Sequence, residues 1–282
     1  MNDELTAYQR ADSMGYQPLG SEQAQWPPVQ GGSIYDANGD EIGGYNRIWR
    51  TDSGDTLSVH GGTYELRPYN ESFAQLEEAI EGTALDKRGL RVKTEFTHNG
   101  GRCFRSYMFP HVQIETRPGD VIGLQILAFD SYDGSYSTSI AAGGFRFICL
   151  NGNFFGKTIQ QLKVRHVKGS AQRFTNALDR VVNAAESFVQ MEPRLSRWRQ
   201  REINIQDFSN LVVEMPQGTV ALRDKLVSRF ALSAEESTLY GAWNVLTDWA
   251  TKDGGTAQSR TDRDRRVAAL IDSPDWRALE DA

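Results

Sequence analysis

The chain has 282 residues, 39% of them apolar and 24% charged, with a formal net charge of −6 and a mean hydropathy of −0.52. These are the values of an ordinary soluble globular chain with enough length to bury a sizeable core. No long apolar run exists, which excludes a transmembrane helix, and two cysteines, Cys103 and Cys149, are too few for a disulfide framework or a four-cysteine zinc site.

The polar, acidic start MNDELTAYQRADSMGYQ lacks the basic and apolar regions of a signal peptide, so a cytoplasmic location and no membrane partner are expected. Residues 1–30 read as an irregular arm, punctuated by Pro27-Pro28 and Gly31-Gly32. Ser33 to Tyr45 reads as a hairpin about Asn38-Gly39, a favoured turn pair. Asp36, Asn38 and Asp40 have the spacing of the first ligands of a calcium loop. Glu41 and Arg47 stand where that loop needs glycine and glutamate, so the hairpin reading is preferred.

Between Arg47 and Arg67, Trp49, Leu57, Val59, Tyr64 and Leu66 alternate with polar residues, which predicts two strands turning at Gly61-Gly62. Asn70 is placed to cap a helix over 71–81 with Phe73, Leu76 and Ile80 on its inner face, closed by Gly82. Residues 89–150 read as β: a strand from Arg91, a turn at Asn99-Gly100-Gly101, a return strand from Arg102, and further strands at 112–115, 121–129, 136–141 and 145–150. The short links between them predict a mainly antiparallel sheet.

Beyond Leu150 the pattern turns helical. Ser170 begins a long amphipathic helix to Met191, with Phe174, Leu178, Val181, Val182, Ala185, Phe188 and Val189 on one face, and Pro193 is read as its stop. Helices follow over 207–214 and 219–230. Ser233 to Glu236 reads as a capping box for a helix to Thr251 striped by Leu239, Trp243, Leu246 and Ala250, and a last short helix spans 262–271. The fold class is therefore α+β: a strand-rich, mainly antiparallel sheet in the first half, then a long amphipathic helix and a helical C-terminal part. The division expected is an N-terminal arm and hairpin (1–45), an α+β core (46–192) and a helical region (193–282).

Charge is unevenly laid out along this order. Residues 1–85 carry net −10, residues 86–201 net +9 and residues 202–282 net −5. A basic middle points to phosphate, because nucleic acids are bound by cations that displace counterions. Lys87, Arg88, Arg91 and Lys93 lead into one hairpin and Arg102 and Arg105 lie on its return. Lys157, Lys163, Arg165, Lys168 and Arg173 form a second group with no acid among them. Phe154 and Phe155 stand beside that second group, and single strands are bound by cationic grooves with aromatic faces for the bases. These thirteen positions are the candidate contacts to single-stranded DNA.

Catalytic motifs are weak by comparison. Gly152 to Thr158 follows a strand in the manner of a phosphate loop, but three residues stand between its glycines where four are needed, and two are phenylalanines. The four histidines, His60, His98, His111 and His166, show no metal-ligand spacing. Asp130 and Asp133 sit among Ser, Tyr and Gly and read as turn residues. Cys149 lies in an apolar strand and reads as core. No enzyme, metal or cofactor is expected.

The block Phe145-Arg-Phe-Ile-Cys-Leu-Asn-Gly152 resembles the arginine-x-x-cysteine-x-asparagine-glycine pattern of the phage/plasmid-like protein family, a domain of unknown function (number 932). Tyr64 to Asn70 before a helix, Val164 to Gly169, and Tyr240 to Trp249 with Arg263-Asp-Arg-Arg266 are similar to further blocks of that family, covering about residues 45–275. The resemblance implies a role in DNA replication or recombination. The order of sheet and long helix also looks like that of phage single-strand annealing proteins with a Rad52-like core. That likeness implies a self-associating protein that holds single strands without hydrolysing anything. The alternative is a protein–protein interaction or structural component, for which the net acidity and six tryptophans speak.

Overall fold

In the computed structural model the described residues are 7–21, 24–117, 120–146, 151–153, 161–167, 169–170, 174–176, 178, 185, 188–233, 236–255 and 257–282. The α+β class and the antiparallel sheet are as the sequence predicts. The main sheet is built on β5 (Arg91–Thr97), β6 (Arg102–Arg117), β7 (Asp120–Ser131) and β8 (Thr138–Arg146), each antiparallel to the next. At one end β1 (Gln17–Pro18) adds to β5; at the other β10 (Gln161–Val164) and β9 (Asn151–Asn153) add to β8. The β6–β7 register shifts between Phe109 and Gln113. Pro110 lies in that gap, and a residue without an N–H cannot continue the ladder.

Two-residue periodicity sorts the side chains of this sheet. One face carries Val92, Tyr107, Ile126, Ile140 and Ala142, which join Phe73, Leu76 and Ile80 of α2 (Tyr69–Glu81) in the main core. The other face is covered from both ends of the chain. Ala11 of α1 (Ala7–Ser13) and Tyr16 pack on Met108, and the Tyr16 hydroxyl meets Ser106 and the Gln125 amide at 2.8 Å. Burial pushes the Tyr16 phenol up to about 12. The expected irregular arm is thus a short helix and a strand tied to the sheet edge.

A second, three-stranded sheet stands beside the first: β2 (Val29–Tyr35), β3 (Glu41–Arg50) and β4 (Thr56–Gly61), all antiparallel. The predicted hairpin is there, with Gly39 at φ +89° in its turn. Asp36 Oδ1 accepts from the Asn38 and Asp40 backbone N–H groups at 2.8 and 2.9 Å. That carboxylate closes its own turn, as Asx residues do, which accounts for the calcium-like spacing. Tyr64 and Leu66 lie outside any strand, and β3 turns into β4 at 51–55 rather than at Gly61-Gly62. Helix α2 starts at Tyr69 with Pro68 as its N-cap, so Asn70 lies inside the first turn. Proline's fixed φ and missing N–H suit that entry.

The expected helix over 170–191 lies largely outside the described residues; Phe174, Leu178, Ala185 and Phe188, four of its inner positions, are buried. Pro193 starts rather than stops a helix, at the first turn of α3 (Glu192–Gln200). Then come α4 (Ile205–Val213), capped by an Asn204–Asp207 box, and α5 (Val220–Leu232), capped by Thr219. Helix α6 (Leu239–Lys252) is capped by Thr238, not Ser233, because the Thr238 hydroxyl accepts from the Gly241 N–H. It is buried on nearly every side. α7 (Ala257–Ile271) and α8 (Pro274–Asp281) complete the chain. Trp198, Trp243 and Trp276 meet at the centre of this region, with ring centroids 6.0 and 5.2 Å apart. The Tyr240 hydroxyl donates to the buried Asp120 at 2.9 Å, joining α6 to the sheet.

Among the described residues no helix is long and apolar enough to cross a membrane.

Candidate nucleic-acid interface

The first basic group is divided by the pleat. Arg91 and Lys93 share a face, as their spacing requires, and the register Thr97↔Arg102 brings Arg102 to that same face. Arg105, three positions on, falls on the opposite face, opposite Thr94. There it is 2% exposed, so it is no surface contact. Its guanidinium donates to Glu77 Oε1 at 2.6 and 3.0 Å and to the Tyr107 hydroxyl at 2.8 Å, and lies 5.3 Å from the Trp26 ring centroid. Arg105 is a core residue that fastens α2 to the sheet, and it leaves the list of candidate DNA contacts.

The other five members have partners of their own. Lys87 Nζ donates to the Glu81 and Thr83 carbonyls at 2.7 and 2.9 Å, satisfying the end of α2. Arg88 grips Asp86, whose carboxyl that hydrogen bond holds down at about 2. Arg91 Nε meets Asp12 of α1 at 2.8 Å and Lys93 meets Glu95 at 3.6 Å. Arg102 donates to Asp133 at 2.5 Å and lies over the Tyr136 ring. Burial pushes against charge on Asp133, but the Ser135 and Arg102 hydrogen bonds win and its carboxyl is lowered. Asp130 and Asp133 are therefore no carboxylate pair.

Of the second basic group, Lys163 and Arg165 are at the other end of the sheet. Strand β10, at the sheet's edge, places Lys163 in register with Ser139, and Arg165 just beyond it is exposed. Phe154, Phe155, Lys157, Lys168 and Arg173 lie outside the described residues, as does the core of the Gly152–Thr158 stretch. From β5, which carries Arg91 and Lys93, to β10, which carries Lys163, there are four strand spacings, roughly 19 Å.

What holds the segment that carries Arg165 is a buried polar cluster that sequence reasoning missed. Asp130, fully buried at the end of β7, accepts from His166 at 2.6 Å, from the Ser131 N–H at 2.7 Å and from Thr138 at 3.1 Å. The Tyr64 ring stacks between His60 and His166, at 3.8 and 5.3 Å. Tyr64 bridges Val167, and Arg67 Nη2 donates to Ser170 Oγ at 2.9 Å. Val164, His166 and Ser170 point in, and Arg165 points out. The signal was present in the alternation of Ile126, Ala128 and Asp130 on one face, which extends the strand through the supposed turn.

Among the described residues no group of three or more His, Cys, Asp or Glu side chains is placed to hold a metal ion. Residues 56–271 match the family model described as "Domain of unknown function (DUF932)". No curated protein and no solved structure matches the chain.

Proposed function

We propose, from the premise that this chain belongs to the DUF932 family, that it binds single-stranded DNA in replication or recombination. In this reading it is a phage- or plasmid-borne protein of the host cytoplasm that self-associates and anneals strands, with neither catalysis nor cofactor. The observation that carries the reading is the acid-free run Lys157, Lys163, Arg165, Lys168, Arg173, whose described member Arg165 is exposed beside an edge strand. An exposed cation such as Arg165 can neutralise a phosphate and release counterions. The likeness to Rad52-type annealing proteins rests on the order of sheet and helix alone.

A second reading is a protein–protein interaction component of a phage assembly. It is favoured by the first basic group, where Arg88, Arg91, Lys93, Arg102 and Arg105 each meet a carboxylate of their own chain. Fluorescence anisotropy of labelled oligo-dT, with duplex DNA as competitor, separates the two. Tight binding that duplex does not displace supports the first reading; absence of binding at low salt abandons it for the second.

A further inference from the structure

The small sheet has one face toward the body and one toward solvent. Ile48, 1% exposed, Ser58 and His60 point inward, where Ser58 Oγ donates to the Tyr132 carbonyl at 2.6 Å. An antiparallel sheet covered on one side carries polar residues on the other as a rule. Here the outer face carries Tyr45, Arg47 and Trp49 on β3 with Val59 in register beside Arg47. Tyr45 and Val59 are each 54% exposed. Arg47 and Trp49 are half-buried, so the face presents one open aromatic ring and one open aliphatic side chain beside a partly covered indole.

The details of this face suit a flat, anionic ligand. Trp49 lies across Gly32, where a Cβ would come within 2.9 Å of the ring, so glycine lets the indole lie down on the strand. The half-buried Arg47 guanidinium stands 5.2 Å from the Trp49 ring centroid and is anchored by donating to the Gly54 carbonyl at 2.6 Å. Tyr45 is paired with Gly61 across the sheet, so its ring has no side chain opposite it. Tyr45 and Trp49 are four positions apart on one strand, about 13 Å, with the arginine between. Of the acids in this region Asp36 and Asp40 sit in the turn at one end and Asp52 and Asp55 in the turn at the other, while Glu41 opens β3 and accepts from the Ser33 hydroxyl at 2.7 Å. Arg50 and Ser53 already engage Asp52 and Asp55. Across the middle of the face the charged side chain is a cation.

We infer that the Tyr45–Arg47–Trp49 face of the three-stranded sheet is the platform on which bases of a single strand stack. This rests on the DNA-binding reading and assigns the bases to a surface separate from the phosphate contacts of the second basic group. Aromatic rings spaced along a strand, with an arginine between them, are a sequence-tolerant stacking surface. The two surfaces are physically linked, since the Tyr64↔Val167 bridge joins the chain leaving β4 to the segment that carries Arg165.

The test compares oligo-dT with an abasic oligonucleotide of equal length, by anisotropy, for the wild type and for Tyr45→Ala. Tyr45 is exposed, so the variant folds; circular dichroism checks that. The wild type is expected to bind oligo-dT at least about 5-fold more tightly than the abasic strand, the lower end of what one stacked base contributes. Tyr45→Ala is expected to erase most of that margin and to leave abasic binding unchanged. Equal binding of oligo-dT by variant and wild type overturns the inference while the DNA-binding reading stands. If the wild type binds neither strand, both fall. If Tyr45→Ala changes the mass in light scattering and leaves oligo-dT affinity alone, the face is a contact between copies and the inference is overturned.

Discussion

Arg105 offers a sharp separation between a surface cation and a core one. Replacing it with methionine keeps the stem and removes the guanidinium. Glu77 then loses two donated hydrogen bonds, the Tyr107 hydroxyl loses one, and contact with the Trp26, Phe73 and Tyr107 rings at 5.3, 6.0 and 5.3 Å is lost. Breaking a buried ion pair from one side costs about 3–5 kcal/mol. Glu77 keeps 29% of its side chain exposed and can recover water, which places the expected loss near the lower end, about 3 kcal/mol. In a chain of this size that lowers Tm by roughly 6–12 °C. Urea denaturation followed by circular dichroism reads the loss directly. Arg105→Met with Glu77→Met is expected to recover much of it, because no charge is then left unpaired. A loss below about 1 kcal/mol, the usual size for exposed pairs, together with weaker oligonucleotide binding would refute the reasoning and return Arg105 to the surface.

Two further substitutions probe the rest of the account. Asp130→Asn removes the carboxylate shared by His166, Thr138 and the Ser131 N–H. It is expected to destabilise by about 2–3 kcal/mol and to speed amide exchange over 161–167; unchanged exchange there would contradict the anchoring role. Asp264 on α7 has one carboxyl oxygen out of reach of water and without a partner, and burial pushes the group up to about 8. The folded state thus holds a proton that the unfolded chain releases near pH 4. Stability is highest below about pH 4 from this group and falls as pH rises toward 8. Asp264→Asn is expected to flatten that slope and to raise the urea midpoint at pH 8 relative to wild type; parallel pH profiles would contradict it.

Period-two alternation made most of the main sheet readable in the sequence. Arg91 to Thr97 and Arg102 to Phe109 pair as the Asn99-Gly100-Gly101 turn requires, and Phe73, Leu76 and Ile80 turn inward on α2 as their spacing requires. Features set by distant partners were not readable. Gln17-Pro18 is a strand only because Arg91 and Val92 lie beside it. Proline suits both the residues after a helix and its first turn, so local sequence does not separate the two, and Pro193 stands in a first turn. The α6 stripe understated its burial, because the surrounding helices close on every side of it.

The candidate site divides along the same line. A run of like charges is local and visible; what neutralises it is not. The acids that meet Arg91, Arg102 and Arg105 are Asp12, Asp133 and Glu77, all at least 28 positions away. Arg165, whose own run holds no acid, is exposed. The Tyr45–Arg47–Trp49 face falls in the most acidic part of the sequence, whose acids the fold distributes over the turns, the start of β3 and α2.

The most direct test of the central claim is the salt dependence of oligo-dT affinity for the wild type and for Arg165→Ala. For single strands the logarithm of affinity falls against the logarithm of salt by about 0.7 per phosphate contacted. The account predicts a clear negative slope for the wild type that becomes shallower by about 0.7 in Arg165→Ala, with the urea midpoint unchanged. A slope near zero, or one identical in the two proteins, would contradict it.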